Sequence, residues 1–252
     1  RVLFRSAAAA RSANSWWVSL RPRTDRDWAP DVGRQTTGTI EGGLLTVRDV
    51  RCFDWHTETE FEERWETRSY ELARLDSVDL FASYWASPSI AHLIVSFGFE
   101  GSDQLAFSIE VRRERGELWS NFAGFFKAYE LVTIAADERD IIRLRTTVRR
   151  EDVYLYRLQS TPAFRERLLR AYIADCNRLA AAPRFYHTII TNCTTGIVRL
   201  VRAAGQALPL DWRMIASGHV PEYLQRIGIV DGSRPFAEVQ RGAAISARRS
   251  RR

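Results

Sequence analysis

Apolar and polar positions alternate through the first half of the chain, then recur every three or four residues in the second. Residues 44–55 (LLTVRDVRCFDW), behind Gly42-Gly43, alternate as a half-buried strand does. Residues 73–85 (ARLDSVDLFASYW) predict another strand, stopped by the turn signal Ser87-Pro88. Residues 91–99 (AHLIVSFGF) and 104–114 (QLAFSIEVRRE) flank a glycine-containing turn and predict a hairpin. Residues 129–136 (YELVTIAA) and 141–148 (IIRLRTTV) predict two more strands.

At Thr161-Pro162 the period changes. A capping residue followed by proline starts a helix well, and 163–181 carries Phe164, Leu168, Tyr172 and Leu179 near one stripe. A strand-like FYHTII (185–190) leads to Thr191-Asn192-Cys193, and 193–205 predicts a second helix capped by Gly205. Strands first and helices later predict an α+β fold, an antiparallel sheet with packed helices. The expected layout is an irregular arm at 1–36, where Trp16, Trp17 and Trp28 can pack onto something, the main α+β domain at 37–240 and a basic tail at 241–252.

Composition narrows the function classes. The chain has 252 residues, 45% hydrophobic and 27% charged, enough for one sizeable core and unlike a disordered chain. No apolar run reaches the roughly 18–20 residues of a membrane span. The chain opens at Arg1 without the apolar stretch of a signal peptide and reads as a piece of a longer protein. Net charge is +6, with Lys127 the sole lysine, and Arg248, Arg249, Arg251 and Arg252 form the tail's basic run. A basic surface suits nucleic acid or anionic lipid. No nucleic-acid-binding motif accompanies it, so no nucleic-acid partner is expected. Cys52, Cys176 and Cys193 are odd in number and widely spaced, which predicts neither a disulfide framework nor a metal site.

Cys193 carries the most chemistry. A helix start leaves N–H groups unpaired and bears about half a positive charge, which favours a thiolate and can receive an oxyanion. Asn192, Thr194 and Thr195 surround it with hydrogen-bonding groups as oxyanion or local support. A cysteine nucleophile needs an imidazole and a group to orient the ring. His92 opens the most apolar strand, where it is either a base or a satisfied structural residue. A three-residue turn at 100–102, with positive φ at Gly101 or a neighbour, sets Glu110 directly opposite His92 on one face of the hairpin. A four-residue turn puts the two on opposite faces. His187, six residues before Cys193, is the rival base and needs a fold-back to reach the sulfur. His56 and His219 sit in loop-like contexts, and Cys176 is expected inside the first helix.

SIAHLIVSFGF, LAFSIEVRRERGE and RFYHTIITNCTTGIVRLV together resemble the Lnb N-terminal periplasmic domain family over roughly residues 25–235. The Asn-Cys element is also similar to that of circularly permuted papain-like enzymes. The resemblance implies a permuted papain-like, NlpC-type arrangement with Cys193 as nucleophile, His92 as base and Glu110 as its partner. His187 stands where the family pattern suggests a small amide. The implied activity is lipoprotein N-acylation through a thioester, without metal or cofactor, at the periplasmic face of the bacterial inner membrane. The implied donor is a phospholipid or acylglycerol and the acceptor a lipoprotein amino terminus, with the membrane surface as a further partner. Two other functions suit the same residues. One is a papain-like amidase or hydrolase of envelope amides or esters, with a polar, open groove. The other is a non-enzymatic envelope interaction domain, with Cys193 buried away from His92.

Overall fold

The alternating first half folds as a sheet because each strand can bury one or both faces under a helix. The computed structural model describes residues 20–101, 103–117, 129–187 and 190–246. Strands β1 (Thr37–Glu41) and β2 (Leu44–Arg51) form a hairpin across Gly42 and Gly43, both at positive φ. The sheet runs β1-β2-β9-β8-β7-β6-β10, with β5 (Trp65–Glu71) also on β2. Its other strands are β6 (Leu75–Ser87), β7 (Ile90–Phe99), β8 (Asp103–Arg112), β9 (Glu130–Ala136) and β10 (Asp152–Arg157). All pairings are antiparallel except a short parallel contact between β2 and β9. A separate ribbon pairs β3 (Asp54–Trp55) with β4 (Phe61–Glu62).

Among the described residues five α-helices complete the α+β fold: α1 (Glu138–Arg143), α2 (Pro162–Ala181), α3 (Cys193–Ala203), α4 (Val220–Arg226) and α5 (Phe236–Ala243). Successive strand residues face opposite ways. One face therefore sends Leu93, Val95, Phe97 and Phe107 into a core with Leu169 and Tyr172 of α2 and Leu200 of α3. The other sends Ile94, Ala106, Val132 and Ile134 against Ile141 and Ile142 of α1. Covering both faces explains why β9 is buried throughout instead of alternating.

Several expectations need correction. Residues 141–148 are not a strand: Asp137 caps α1 by accepting the Arg139 N–H, and Leu144–Val148 continues as a π-helical turn. The β-branched residues of this run suggest a strand, but the aspartate cap and the acidic first turn are helix signals. The 44–55 strand breaks after Arg51, following a bulge at Asp49, which has φ +57°. Of the expected strand at 185–190, Phe185 and His187 make only single bridges, and residues 188 and 189 lie outside the described residues. Strand β10 was not anticipated. The irregular arm is only partly an arm: Trp28 is buried under the Arg112 guanidinium, and Asp31, Val32 and Thr36 are buried too. Trp16 and Trp17 lie outside the described residues, as do Arg248, Arg249, Arg251 and Arg252. The 241–252 tail begins within α5, and Ile245 donates its N–H to Val153 of β10.

The buried ion pair Arg51–Asp140 holds α1 to the sheet. Asp140 accepts from Arg51 Nε (2.8 Å) and Nη2 (2.9 Å), the Phe53 N–H (2.9 Å) and Trp55 Nε1 (2.7 Å). Removing one partner of such a pair strands the other charge in the interior. Asp140→Ala is expected to cost about 3–5 kcal/mol, read as a lowered urea midpoint. An unchanged midpoint would show that the pair does not hold the fold.

Candidate functional site

The β7–β8 hairpin has the three-residue turn, with Gly101 at φ +90°. Pairing runs from Phe99↔Asp103 to Ile94↔Ser108. That register points His92 and Glu110 to one face, and His92 Nε2 lies 3.1 Å from Glu110 Oε1. The β7–β8 ladder stops at Ile94, whereas β7 continues on β6 (Ser83↔His92) and β8 on β9 (Glu110↔Val132). The two strands therefore part at the level of His92.

Helix α3 starts at this opening. Its axis comes close to β8 because residue 196 is glycine: a Cβ there would stand 2.5 Å from Ile109 Cδ1. Asn192 is the N-cap, its Oδ1 accepting the Thr195 N–H (2.9 Å) while Thr195 Oγ1 accepts the Asn192 N–H (2.9 Å). Cys193 is half-buried and lines one cleft with His92, whose imidazole acts on its thiol together with the backbone of Leu93. Buried Thr194 places Oγ1 4.0 Å from the sulfur.

Of the predicted support group, then, Thr194 stands at the sulfur, while Asn192 and Thr195 act on the helix start. The Thr195 N–H goes to Asn192 Oδ1 and the Gly196 N–H to Asn192 O. Capping thus occupies the Thr195 N–H and leaves those of Cys193 and Thr194 as the first-turn donors that could face a ligand.

Ser108 was missed in the sequence. Its hydroxyl lies 2.6 Å from His92 Nε2 and donates to Glu110 Oε1 at 2.7 Å. A hydroxyl that donates to the carboxylate accepts from the imidazole, so Nε2 carries a proton and Nδ1 is left for the sulfur. The signal was available: Ser108 precedes Glu110 by two and shares its face. Arg145, from the π-helical turn, donates to Glu110 Oε1 (3.3 Å) and Glu151 Oε2 (3.1 Å). Glu151 in turn accepts from Ser83, the cross-strand neighbour of His92. Nothing in the sequence brings Arg145 to this place, because its segment reads as a strand.

The charges follow from these contacts. Burial opposes the imidazolium and Arg145 repels it, but the Glu110 carboxylate prevails and raises His92 to about 9. Burial also opposes the Glu110 carboxylate, yet His92, Arg145 and Ser108 hold it well below the ordinary range. Burial pushes the Cys193 thiol up, but hydrogen bonds and charge from His92, with the Leu93 N–H, bring it below its ordinary value. The shifts of His92 and Cys193 both have the sign that favours a thiolate–imidazolium pair. The other cysteines differ: burial pushes Cys52 up to about 12, despite an Arg68 contact at 3.1 Å, and raises fully buried Cys176 as well.

Iodoacetamide at pH 7 is expected to label Cys193 first, as read by peptide mass spectrometry. Its rate should climb less steeply between pH 7 and 9 than that of an ordinary thiol with pKa of about 8.5, which gains roughly 25-fold. Faster labelling of Cys52 or Cys176 would contradict the assignment.

The remaining histidines stand elsewhere. His187 closes a tight turn with Thr191, and its Nδ1 accepts the Ile190 N–H. His56 is exposed beside Glu62 (3.8 Å), and His219 packs on Trp212. Among the described residues no cluster of His, Cys, Asp or Glu gathers as a metal site.

Cys193, His92 and Glu110 line a cleft of about 830 Å³. Arg145, Arg149 and Glu151 line its charged part, while Trp85, Ile90 and Ile215 line an apolar part. Among the described residues no helix is long and apolar enough to cross a membrane.

No curated protein and no solved structure matches the chain. A model of the Lnb N-terminal periplasmic domain does, over residues 61–218. This span covers well over half of the chain and includes His92, Ser108, Glu110, Arg145 and Cys193. The chain thus belongs to the Lnb N-terminal periplasmic domain family, a family of the bacterial envelope.

Proposed function

We propose that this domain is a cysteine-dependent acyltransferase that passes an acyl chain through a thioester on Cys193 to an amine, with a lipoprotein amino terminus as acceptor. The observation that carries this is the hydrogen-bonded series His92–Ser108–Glu110 beside Cys193, which opens a helix inside the same cleft. An interaction domain does not need a lowered thiol beside an imidazolium, and perturbed pairs of this kind cluster at reactive sites. The chain order, histidine before cysteine, suits a permuted papain-like scaffold.

The thiolate attacks the ester carbonyl of a phospholipid or acylglycerol, forming a C–S bond and an oxyanion facing the Cys193 and Thr194 N–H groups. Collapse breaks the C–O bond, and His92 Nδ1–H protonates the departing alkoxide. The now neutral His92 takes a proton from the acceptor amine as it attacks the thioester. The C–S bond breaks, releasing the amide and returning the thiolate. Glu110 keeps the ring oriented and stabilises its charged form, and Ser108 relays that interaction.

The charged part of the cleft, with Arg145, Arg149 and Glu151, supports a second function: hydrolysis of a polar envelope amide or ester, with water as acceptor. Incubation with phospholipid, then intact-mass and peptide spectrometry, tests the first step. A hydroxylamine-sensitive acyl adduct on Cys193 is expected, and its transfer to an N-terminal cysteine peptide separates transferase from hydrolase. No adduct from any acyl ester would sink both.

Turnover should follow a bell in pH. The acid limb is set by Cys193 below its ordinary value, and the alkaline limb by loss of the His92 proton near pH 9. An alkaline limb near 6.5 would show that Glu110 does not support the imidazolium.

A further inference from the structure

The mouth of the cleft is unusual for a surface in water. Leu210 (87%), Ile215 (74%) and Trp212 (58%) are largely exposed on the loop before α4, and Trp85 and Ile90 are exposed on the β6–β7 hairpin. Scattered exposed apolar residues are ordinary, but contiguous large ones mark an interaction site. These two segments are fastened together. The Gly218 N–H donates to Ser89 O (3.1 Å), the Ala91 N–H to Ser217 Oγ (2.9 Å), and Tyr84 OH to Gly218 O (2.7 Å). Trp212 lies against His219 (5.1 Å between ring centres), whose Nε2 is 3.3 Å from Ser89 Oγ. At Gly218 a Cβ would stand 2.2 Å from Pro88 O, so the close approach requires glycine. The rim is therefore a built surface and not a pair of loose loops.

We propose that this rim rests on a phospholipid bilayer, with Trp85, Ile90, Leu210, Trp212 and Ile215 entering the interfacial layer. The inference deepens the acyl-transfer function and rests on it for the substrate, which would enter the cleft from the lipid side. Three observations select a bilayer. Trp85, Ile90 and Ile215 belong to the same cleft as Cys193, so whatever covers the rim is continuous with the thiolate. Tryptophan is the side chain suited to a boundary between apolar and hydrated layers. The whole chain carries +6, complementary to anionic lipid, while at the rim Arg213 lies over Trp212 (5.2 Å) and is ion-paired, as Arg226 is, with Asp211.

The experiment uses the whole chain and phosphatidylethanolamine–phosphatidylglycerol vesicles. The protein is expected to cosediment with them, with a blue shift of tryptophan emission. Leu210→Ser/Trp212→Ser and Trp85→Ser/Ile90→Ser are each expected to weaken vesicle binding about tenfold or more, since apolar side chains lose their insertion. Unchanged thermal melting checks that both fold. Leu210→Ser/Trp212→Ser should retain turnover of a water-soluble short-chain ester and lose turnover of a vesicle-embedded donor. Cys193→Ala should bind vesicles normally and turn over neither ester. Failure of the parent chain to bind vesicles, including a rim that instead supports only self-association, overturns the proposal. So does binding that salt abolishes while both rim variants bind as the parent does. Vesicle binding together with full turnover in Cys193→Ala would leave the rim intact and sink the acyl-transfer function.

Discussion

Cys193→Ala is expected to abolish turnover, by at least about 10⁴-fold, while leaving the fold intact. The sulfur is the nucleophile of the proposed acyl intermediate, and it is the group whose pKa the His92 imidazole lowers. The side chain is half-buried at the first turn of α3, so its truncation leaves no large cavity, and stability should change by about 1 kcal/mol or less. His92→Ala is expected to lose about 10²–10⁴-fold, and to return the thiol of Cys193 towards its ordinary value or above it. With the imidazole gone, burial is opposed only by weaker partners. Because the two groups act as one unit, the double variant should be little worse than Cys193→Ala alone. Steady-state acyl transfer, with the alkylation rate of Cys193 against pH, reads both effects. Substantial turnover by Cys193→Ala, or an unchanged alkylation profile in His92→Ala, would end this assignment.

How much of this was legible in the sequence depends on the range of the interaction. His92 and Glu110 could be paired because a hairpin converts sequence separation directly into register, and a single glycine at 101 fixes it. Cys193 could be placed at a helix start because capping chemistry is local: Asn192 and Thr195 lie within one turn of it. Their side chains looked like a ring around the sulfur, but capping directs two of them to the helix backbone. What stayed hidden was everything that arrives from a distance. Arg145 reaches Glu110 only because residues 141–148 are helical and cross the sheet, and their β-branched residues pointed the other way. Asp31 and Val32 line the cleft although their segment has no period, because tertiary packing and not local pattern holds it. The splayed ends of β7 and β8 were hidden as well, since pattern predicts that strands pair and not where pairing stops.

Glu110→Gln is the second large effect, and it tests Arg145 at the same time. The amide still offers Oε1 to Ser108 and His92, so the ring should stay oriented. The charge opposing burial of the imidazolium is gone, however, and the guanidinium of Arg145, 3.3 Å from Glu110, loses one of its two carboxylates. Arg145 already acts to lower His92. Both changes thus have the same sign: His92 should fall from about 9 to its ordinary 6.5 or below. Acyl transfer at pH 7 should drop roughly 10²–10⁴-fold, less than for Cys193→Ala because the nucleophile and the oxyanion donors remain. Glu110→Gln/Arg145→Met removes that cation as well and should bring His92 part of the way back up, a coupling that a purely structural Arg145 would not show. NMR titration of the imidazole protons, with the alkaline limb of the pH–rate profile, measures this directly. An alkaline limb that stays near pH 9 in Glu110→Gln would mean that another group carries the imidazolium, and Glu151, one arginine away, would be the residue to remove next.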